Sequence, residues 1–329
     1  MSWAAALNLL EREDTLSGEQ LGELLGVSRA AVHKGVTRLR REGYRIEGTA
    51  GRGYRLLESA SPYCQIEIER RLLKAGSNLP VVFRRECDST NSLALSLEPS
   101  QDCVVVADSQ RAGHGRRGRD WVSPAGCNIY LTRLFERRLN AQSASELVLV
   151  AGAACAAALN SLPGIQVGLK WPNDIYAQGA KLAGILVEGA LVETSLVRAA
   201  VGIGINVNID RRELTRRIDR PATSLLELTG RCIARGELVA QIVLQLDKWY
   251  AQWLKAGLSK VLSIYSKLDV IKDNVIEVDL ADRTLEARSE GIDQQGRLLV
   301  VTMDGEQLCL NSGEVTIRPA TGVIDAAGS

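Results

Sequence analysis

The spacing of apolar residues changes twice along the chain, and these changes divide it into three parts. Up to about residue 42 the apolar positions recur every three to four residues, as in amphipathic helices. From about residue 64, predicted helices at 146–162 and 237–256 alternate with apolar runs of strand length at 103–107, 185–187 and 196–209. From Lys272 apolar and polar residues alternate, which indicates antiparallel strands. Trp249 and Trp253 fall on the apolar stripe of the second helix, so both are expected in the core.

The first part predicts a helix-turn-helix followed by a two-stranded wing. Ser17 and Gln20 form a capping-box signature for a helix that stops at Gly26. Ser28 can cap a second helix over residues 29–42, and two short strands around a glycine-rich turn follow it. This order is typical of winged helix-turn-helix domains. The residues expected on the buried side of the second helix are Ala30, Ala31, Val32, Val36 and Leu39.

The charge changes sign between the two predicted helices. Residues 1–28 carry five acidic residues and one basic residue, whereas residues 29–56 carry eight basic and two acidic residues. Such an excess usually faces an oppositely charged partner, and the major groove of DNA admits a basic helix. We therefore predict DNA binding; a solvated basic face of a protein-interaction domain is the alternative. The expected DNA contacts are Ser28, Arg29, His33, Lys34, Thr37, Arg38 and, at the wing tip, Arg52.

The segment Gly113–Trp121, with the sequence GHGRRGRDW, has a composition that suits neither helix nor strand. It satisfies the pattern G-x-G-x-x-G, but Pro124 and Gly126 prevent the long helix that a dinucleotide fingerprint must open. Glycines allow the backbone to wrap around a ligand, and the arginines repel one another until an anion binds. We expect a mobile cationic loop that orders around a phosphate group, with a solvated basic loop as the alternative.

Four other motifs place polar groups beside predicted strands. In DSTN, residues 88–91, hydroxyls and an amide stand at the start of a helix, where they can bind a polar ligand or cap the helix. KWPNDI, residues 170–175, ends a strand in a turn where Asp174 could bind hydrated Mg²⁺. KLAGILVE, residues 181–188, begins a strand with a lysine. GIGIN, residues 202–206, puts two glycines into a buried strand, which indicates close approach of a ligand or backbone.

These five motifs, in this order and after a winged helix, resemble the biotin protein ligases of the bifunctional ligase–repressor type, over nearly the whole chain. The resemblance implies an α/β (α+β) protein with a winged helix-turn-helix (1–62), a mixed-sheet catalytic domain similar to class II synthetases (63–270), an SH3-like β-barrel (271–320) and a flexible tail (321–329). It also implies that biotin and MgATP form biotinyl-5′-AMP, whose biotinyl group passes to a lysine of the biotin carboxyl carrier protein. The adenylate-bound protein would dimerise and repress biotin-synthesis genes by binding operator DNA.

The resemblance also implies roles for single residues. Biotin would be bound by Ser89, Thr90, Asn91, Gln110, Gly113, Gly115, Arg116 and Lys181, with Arg116 and Lys181 as catalytic residues. ATP and the adenylate would be bound by Arg119, Trp121, Lys170, Asn173, Asp174 and Asn206, with Trp121 on the adenine and Asp174 as the Mg²⁺ ligand. The family loop usually reads GRGRRGR, and His114 replaces its first arginine here. We expect a shift in ligand affinity or retention rather than a loss of activity.

Composition indicates where such a protein would work. The 329 residues have a net charge of +1, and no apolar run reaches the roughly 20 residues of a membrane span. Seven scattered cysteines without a CxxC pair favour reduced thiols in a cytoplasmic protein, and the N-terminus does not resemble a signal peptide. Two alternatives remain: a biotin-sensing repressor without ligase activity, and an acyl-adenylating ligase of the lipoate type.

Overall fold

A computed structural model describes residues 3–13, 15–49, 52–57, 61–98, 101–140, 143–192, 195–217, 220–280, 283–311 and 313–317. These residues form a winged helix-turn-helix, a central α/β unit and a small antiparallel sheet, in that order along the chain. The predicted fold class is therefore confirmed. The tail expected at 321–329 lies outside the described residues.

The first unit consists of three helices and a two-stranded sheet. Its elements are α1 (Trp3–Arg12), α2 (Gly18–Leu25), α3 (Arg29–Arg41), β1 (Ile46–Thr49) and β2 (Gly53–Leu56). Ser17 and Gln20 form the predicted capping box, and Gly26 ends α2 in the left-handed conformation. Ser28 caps α3 by accepting a hydrogen bond from the Ala31 N–H. Strands β1 and β2 pair antiparallel as the predicted wing.

Helix α1 is an element that the sequence pattern did not predict, and it changes the buried face of α3. A Cβ atom at Gly35 would come within 1.9 Å of the Trp3 ring, so glycine is what allows the two helices to touch. Gly35 is therefore buried together with Val32, Val36 and Leu39. The expectation that Ala30 belongs to this face is wrong, because Ala30 lies exposed on the other side of the helix.

The central unit is a mixed sheet with helices packed against it. Its helices are α4 (Gln65–Lys74), α5 (Thr90–Ser96), α6 (Ser143–Leu159), α7 (Arg211–Arg217), α8 (Leu225–Thr229), α9 (Arg235–Ala256) and α10 (Ser259–Leu268). Its strands are β3 (Val81–Cys87), β4 (Cys103–Gln110), β5 (Ile129–Phe135), β6 (Leu139–Asn140), β7 (Gly168–Lys170), β8 (Asp174–Ala177), β9 (Ala180–Val192) and β10 (Ser195–Ile205). The order is β3-β4-β5-β10-β9-β8-β7, with β6 beside β10. The β3–β4 pair is parallel and the other pairs are antiparallel.

Alternation along β9 and β10 directs the isoleucines to one face of the central sheet and the glycines to the other face, part of which α5 covers. Ile185, Ile203 and Ile205 point into the main core, where α6 and α9 cover the sheet. Gly184 and Gly204 point to the opposite face, because neighbouring side chains of a strand alternate. Trp253 is buried in the core and Trp249 packs against it, so both tryptophans have the expected structural role.

The C-terminal unit is a five-stranded antiparallel sheet. Its strands are β11 (Val275–Asp279), β12 (Thr284–Ile292), β13 (Leu298–Thr302), β14 (Gln307–Leu310) and β15 (Glu314–Ile317), in the order β14-β13-β12-β11-β15. The Trp171 indole N–H donates to the Gly296 carbonyl at 3.1 Å, which ties the KWPNDI turn to this sheet. Across the described residues, no helix has the length and apolar character to cross a membrane.

Candidate active site

A cavity of about 590 Å³ opens on the glycine face of the central sheet. Its floor contains Gly184 of β9 together with Gly202 and Gly204 of β10. A Cβ atom at Gly204 would come within 2.5 Å of the Trp121 indole, and one at Gly202 within 2.4 Å of the Asn91 side-chain oxygen. The glycines of GIGIN therefore permit close approach, but the groups that approach are the side chains of Trp121 and Asn91 rather than a ligand or another backbone.

The glycine-arginine loop, residues 113–121, lies over this floor. The Gly115 N–H donates to the Arg119 carbonyl at 2.7 Å, and the Trp121 N–H donates to the Gly113 carbonyl at 2.9 Å. A single 3-10 turn at Arg116–Gly118 is the only helical structure in the loop. The loop does not open a helix, so the sequence argument against a dinucleotide fingerprint is confirmed.

The three arginines of the loop contact the C-terminal sheet. The contacts are Arg116 Nη1 to the Gly313 carbonyl (3.3 Å), Arg117 Nη2 to the Asp279 carbonyl (3.3 Å) and an ion pair between Arg119 and Glu314. Burial lowers the pKa of Arg116, although a guanidinium stays protonated at neutral pH. The loop is thus folded, and contacts with C-terminal residues partly balance its positive charge. The mobility of the loop stays a prediction.

One end of the cavity is lined by hydroxyl and amide groups at the start of α5. Ser89 Oγ caps the helix by accepting from the Ser92 N–H at 3.4 Å. The N–H and the hydroxyl of Thr90 both donate to Gln110 Oε1, at 2.8 Å and 3.1 Å. Gln110 Nε2 donates in turn to Ser123 Oγ at 3.0 Å. Thr90 and Gln110 therefore form one hydrogen-bonded group at the cavity wall, and Ser89 lines the cavity next to Thr90.

Asn91 and Gly113 have structural roles in this part of the protein. Asn91 Nδ2 donates to Glu188 at 2.8 Å and to a main-chain carbonyl at 3.3 Å, while its oxygen accepts from the Thr132 hydroxyl at 2.6 Å. Both amide hydrogens of Asn91 are thus taken, although the residue lines the cavity. Gly113 is not among the lining residues; a Cβ there would come within 2.7 Å of Gln110 Nε2. Its part is to let the loop pack closely.

The middle of the cavity holds a charged pair beside a tryptophan. Lys181 Nζ lies 2.7 Å from Asp174 Oδ1 and 5.4 Å from the centre of the Trp121 ring. The Trp121 Nε1–H is buried and has no hydrogen-bond partner among the described residues. This nitrogen lies against β10, because a Cβ atom at Gly204 would come within 2.5 Å of it. A cation, a carboxylate and an aromatic ring therefore line the same part of the cavity.

The other predicted nucleotide-binding residues line the far part of the cavity. Lys170 Nζ donates to the Tyr176 hydroxyl at 3.0 Å, and burial lowers the pKa of Lys170. The side-chain amides of Asn173 and Asn206 donate to main-chain carbonyls at 2.9 Å and 3.1 Å. These hydrogen bonds fix the orientation of both side chains, including their amide oxygens. These residues join Arg119 and Asp174 at the cavity wall.

Several lining residues were not identified from the sequence. Arg217 and Arg220 approach the cavity from the α7 region, and Glu314 approaches from β15. The available signal for the first two was the five arginines within residues 211–220. Glu314 carried no such signal, because a single acidic residue in an alternating strand is ordinary, and only the packing of the C-terminal sheet brings it to Arg119.

The described residues include no group of three or more His, Cys, Asp or Glu side chains that could hold a metal ion. Asp174 is a single carboxylate and already pairs with Lys181. This arrangement fits Mg²⁺ only as an ion held mostly by phosphate oxygens and water, with one protein carboxylate.

The residues predicted to bind DNA are all exposed except Thr37, which is half-buried. Three of them have partners within the unit: Ser28 caps α3, His33 Nδ1 lies 3.3 Å from the Tyr54 hydroxyl of the wing, and the Thr37 hydroxyl donates to the His33 carbonyl at 2.9 Å. His33 therefore joins α3 to the wing, whereas Lys34 and Arg38 lie exposed on the same helix.

Comparison with known proteins agrees with this architecture. Three family models match: "HTH domain" at residues 4–55, "Biotin/lipoate A/B protein ligase family" at residues 82–206 and "Biotin protein ligase C terminal domain" at residues 276–318. Among solved structures, the biotin protein ligase from Aquifex aeolicus in complex with biotin and ATP is similar, with 28% identity and a TM-score of 0.62. That match covers 73% of this chain and 98% of the other.

Two similar proteins match over most of both chains. The chain is 35% identical to the bifunctional ligase/repressor BirA of Escherichia coli (strain K12), over 95% of this chain and 96% of that protein. It is 30% identical to the BirA of Bacillus subtilis (strain 168), over 88% and 90% of the two chains. The chain belongs to the biotin protein ligase family, in its bifunctional ligase/repressor branch.

Proposed function

We propose that this protein joins biotin to ATP as biotinyl-5′-AMP, transfers the biotinyl group to a lysine of a biotin carboxyl carrier protein, and represses biotin-synthesis genes as an adenylate-bound dimer. The proposal is supported by the relatives, which are named ligase/repressors, and by a solved relative in complex with biotin and ATP. The observation that carries it is the cavity itself, where a polar end, a glycine floor and a cationic loop meet.

The first reaction needs positioning and charge neutralisation rather than a protein nucleophile. A biotin carboxylate oxygen attacks the α-phosphorus of ATP; the new O–P bond forms as the bond to pyrophosphate breaks. Negative charge on the phosphate oxygens must be balanced, and preorganised cations do this best in a site that excludes water. Lys181, in the middle of the cavity, and Arg116, above it, are the residues proposed to supply that charge.

The polar end of the cavity suits a cyclic urea. Hydroxyls can donate or accept, and the amide of Gln110 offers both kinds of group, so the Ser89–Thr90–Gln110 cluster can match a carbonyl oxygen flanked by two N–H groups. The apolar chain of biotin would then lie along the glycine floor toward Lys181. Trp121 would border the adenine, because its ring lines the cavity beside Lys181.

Mg²⁺ is proposed to enter with ATP, and Asp174 is the residue that would hold it. When bound, the ion supplies further neutralisation of phosphate charge. Because Asp174 also pairs with Lys181, one carboxylate would orient both cations.

In the second reaction, a neutral lysine amine of the carrier attacks the biotinyl carbonyl. The C–N bond forms, AMP leaves from the carbonyl carbon, and the amine loses its proton to solvent. Until then the mixed anhydride must be protected from water, which is a task for the glycine-arginine loop that lies over the cavity.

Biotin-dependent exchange of labelled pyrophosphate into ATP tests this proposal. We expect exchange with biotin in the wild type and a loss of at least about 100-fold in Arg116→Ala, comparable to the removal of one preorganised donor. Exchange with lipoate alone would favour the lipoate-type alternative. Biotin binding without exchange would favour a sensor without ligase activity.

A further inference from the structure

His114 makes two contacts at the start of the glycine-arginine loop. Its Nε2 lies 3.3 Å from Glu188 Oε1 on β9, and its Nδ1 lies 3.2 Å from the Ala112 carbonyl oxygen. His114 also lines the cavity, so these contacts join the cavity wall to the sheet.

Both partners of His114 are hydrogen-bond acceptors. A carboxylate and a carbonyl cannot donate to the imidazole, so both contacts are complete only when both ring nitrogens carry a hydrogen. Neutral imidazole has one N–H and the imidazolium ion has two. The geometry therefore suits the protonated ring.

Glu188 is a fixed partner rather than a mobile one. Its other oxygen accepts from Asn91 Nδ2 at 2.8 Å, and Asn91 is 4% exposed. Asn91 is held by the Thr132 hydroxyl of β5 and packs where Gly202 leaves room. The carboxylate that receives His114 is thus oriented by three strands and α5.

Few other charges face His114. Asp120 lies opposite it in the backbone bridge of the loop. Asp88, at the start of α5, and Arg111, just before the loop, pair with each other at 2.8 Å. Glu188 is the charged group that contacts the ring directly.

We propose that His114 and Glu188 are positioning residues that hold the glycine-arginine loop closed when His114 is protonated, so that the protein releases its adenylate faster as the pH rises. The inference rests on the proposed function, because it concerns retention of that ligand. It gives a role to His114, the one residue that departs from the family's loop pattern.

The direction of the pH effect follows from the contacts. The Ala112 carbonyl and the Glu188 carboxylate raise the pKa of His114 against the opposing effect of burial. The closed loop thus binds the proton more tightly than an open loop, whose pKa is about 6.5. Stabilisation of the closed state is complete below about pH 6.5 and is lost as the pH rises through the raised pKa.

The experiment measures release of biotinol adenylate, a hydrolysis-resistant analogue in which a phosphate ester replaces the anhydride. The full-length protein is loaded with labelled analogue and chased with unlabelled analogue between about pH 6 and pH 9. We expect release to be about two- to five-fold faster at the upper end, the range for a partly exposed ion pair.

Two substitutions make the test specific. His114→Arg keeps a charge that does not titrate in this range and is expected to release slowly at every pH. His114→Gln keeps a polar side chain without the charge and is expected to release at the fast wild-type rate at every pH. The chain has one other histidine, His33 on α3. Any dependence of the release rate on pH that remains in both variants therefore comes from groups other than His114.

The inference is overturned if His114→Arg keeps the wild-type pH slope, or if the wild type shows none. Either result leaves the proposed function intact, provided that pyrophosphate exchange with biotin is observed. Absence of exchange and of analogue binding would instead reject the proposed function.

Discussion

At the scale of single residues, the shape of the cavity depends on glycines that allow side chains to approach the sheet. Gly204 lies against the Trp121 indole and Gly202 against Asn91, with room for no Cβ at either position. The affinity for ligand should therefore fall even when a single methyl group is added at one of these glycines. The same change should affect packing of the core on the other face of the sheet much less, because the side chains that β10 contributes to that core are its isoleucines.

We predict that Gly204→Ala raises the dissociation constant for biotin at least about tenfold, which corresponds to about 1.4 kcal/mol. The added methyl would meet the indole at 2.5 Å and push it into the ligand space. Isothermal titration measures the change. Gly152→Ala in α6 is the control, since its Cβ would have ordinary contacts at 3.5 Å and alanine favours a helix. Equal affinity in both variants would contradict the assigned floor.

Much of the candidate site could be predicted from the sequence where polar residues stand in short motifs. Residues 88–91, 113–121 and 170–174 line one cavity except for Asp88, Gly113, Arg117 and Gly118, and the side chain of Asn91 is used for internal hydrogen bonds. Glu188 and Glu314 could not be identified, because their importance lies in contacts to distant residues, His114 and Arg119. Pairings of that kind are set by tertiary packing and leave no local pattern.

At the scale of elements, α4 joins the winged unit to the central unit through buried charge. Glu67 and Arg70 are 0% and 1% exposed and are hydrogen-bonded at 2.8 Å. Glu67 also accepts from the Tyr44 hydroxyl at 2.7 Å and from Arg71 Nε at 2.8 Å, and Arg70 reaches Glu11 of α1. Burial alone would raise the pKa of Glu67, but hydrogen bonds from Arg70, Arg71 and Tyr44 lower it overall.

We predict that Glu67→Gln reduces the free energy of unfolding by about 3–5 kcal/mol at pH 7, because it removes the buried carboxylate that pairs with Arg70 and leaves Arg70 only the partly exposed Glu11. The lowered pKa of Glu67 means that this stabilisation is present above the unfolded value of about 4.3 and is lost as the pH falls through the folded value. Thermal unfolding of wild type and variant at several pH values measures the difference, which should shrink under acidic conditions.

Glu237→Gln provides the matched control for this network. Glu237 pairs with Arg71 at 3.5 Å but is 44% exposed, so its loss should cost less than about 1 kcal/mol. A Glu67 variant as stable as the Glu237 variant would show that α4 does not depend on its buried charges.

Helix α3 carries the second prediction at this scale. Lys34 and Arg38 are exposed on the basic face, so Lys34→Glu with Arg38→Glu should weaken operator binding and reduce its salt dependence by about two counterions. Fluorescence anisotropy with labelled operator at several salt concentrations measures both quantities. Lys260→Glu with Lys267→Glu on α10 is the charge-matched control. Unchanged affinity and slope in the double variant would remove α3 from the DNA interface.

The elements themselves were largely predictable because each has strong local signals. The capping box and C-terminal glycine delimit α2, and the predicted helix at 146–162 is observed at Ser143–Leu159. The strand expected at 196–209 ends at Ile205, since buried Val207 and Ile209 continue the apolar pattern without strand pairing. Helix α1 was missed because its short apolar run is stabilised by contact with α3 and α4 rather than by its own signals.

At the scale of the whole molecule, contacts between side chains connect the three parts. The C-terminal sheet supplies Gly313 and Glu314 to the arginines of the loop, and the KWPNDI turn binds the same sheet through Trp171. The winged unit is joined to the central unit through α4, where the Tyr44 hydroxyl donates to Glu67. The part that carries the cavity and the part that carries the basic helix are therefore in direct contact.

The central claim is that the glycine-arginine loop encloses an activated biotin, and amide hydrogen exchange of the loop tests it most directly. Peptides covering residues 113–121 should become at least about tenfold more protected when biotin and ATP are added together, while α6 peptides stay unchanged. Equal exchange of the loop with and without both substrates, in protein shown to form the adenylate, would contradict the claim.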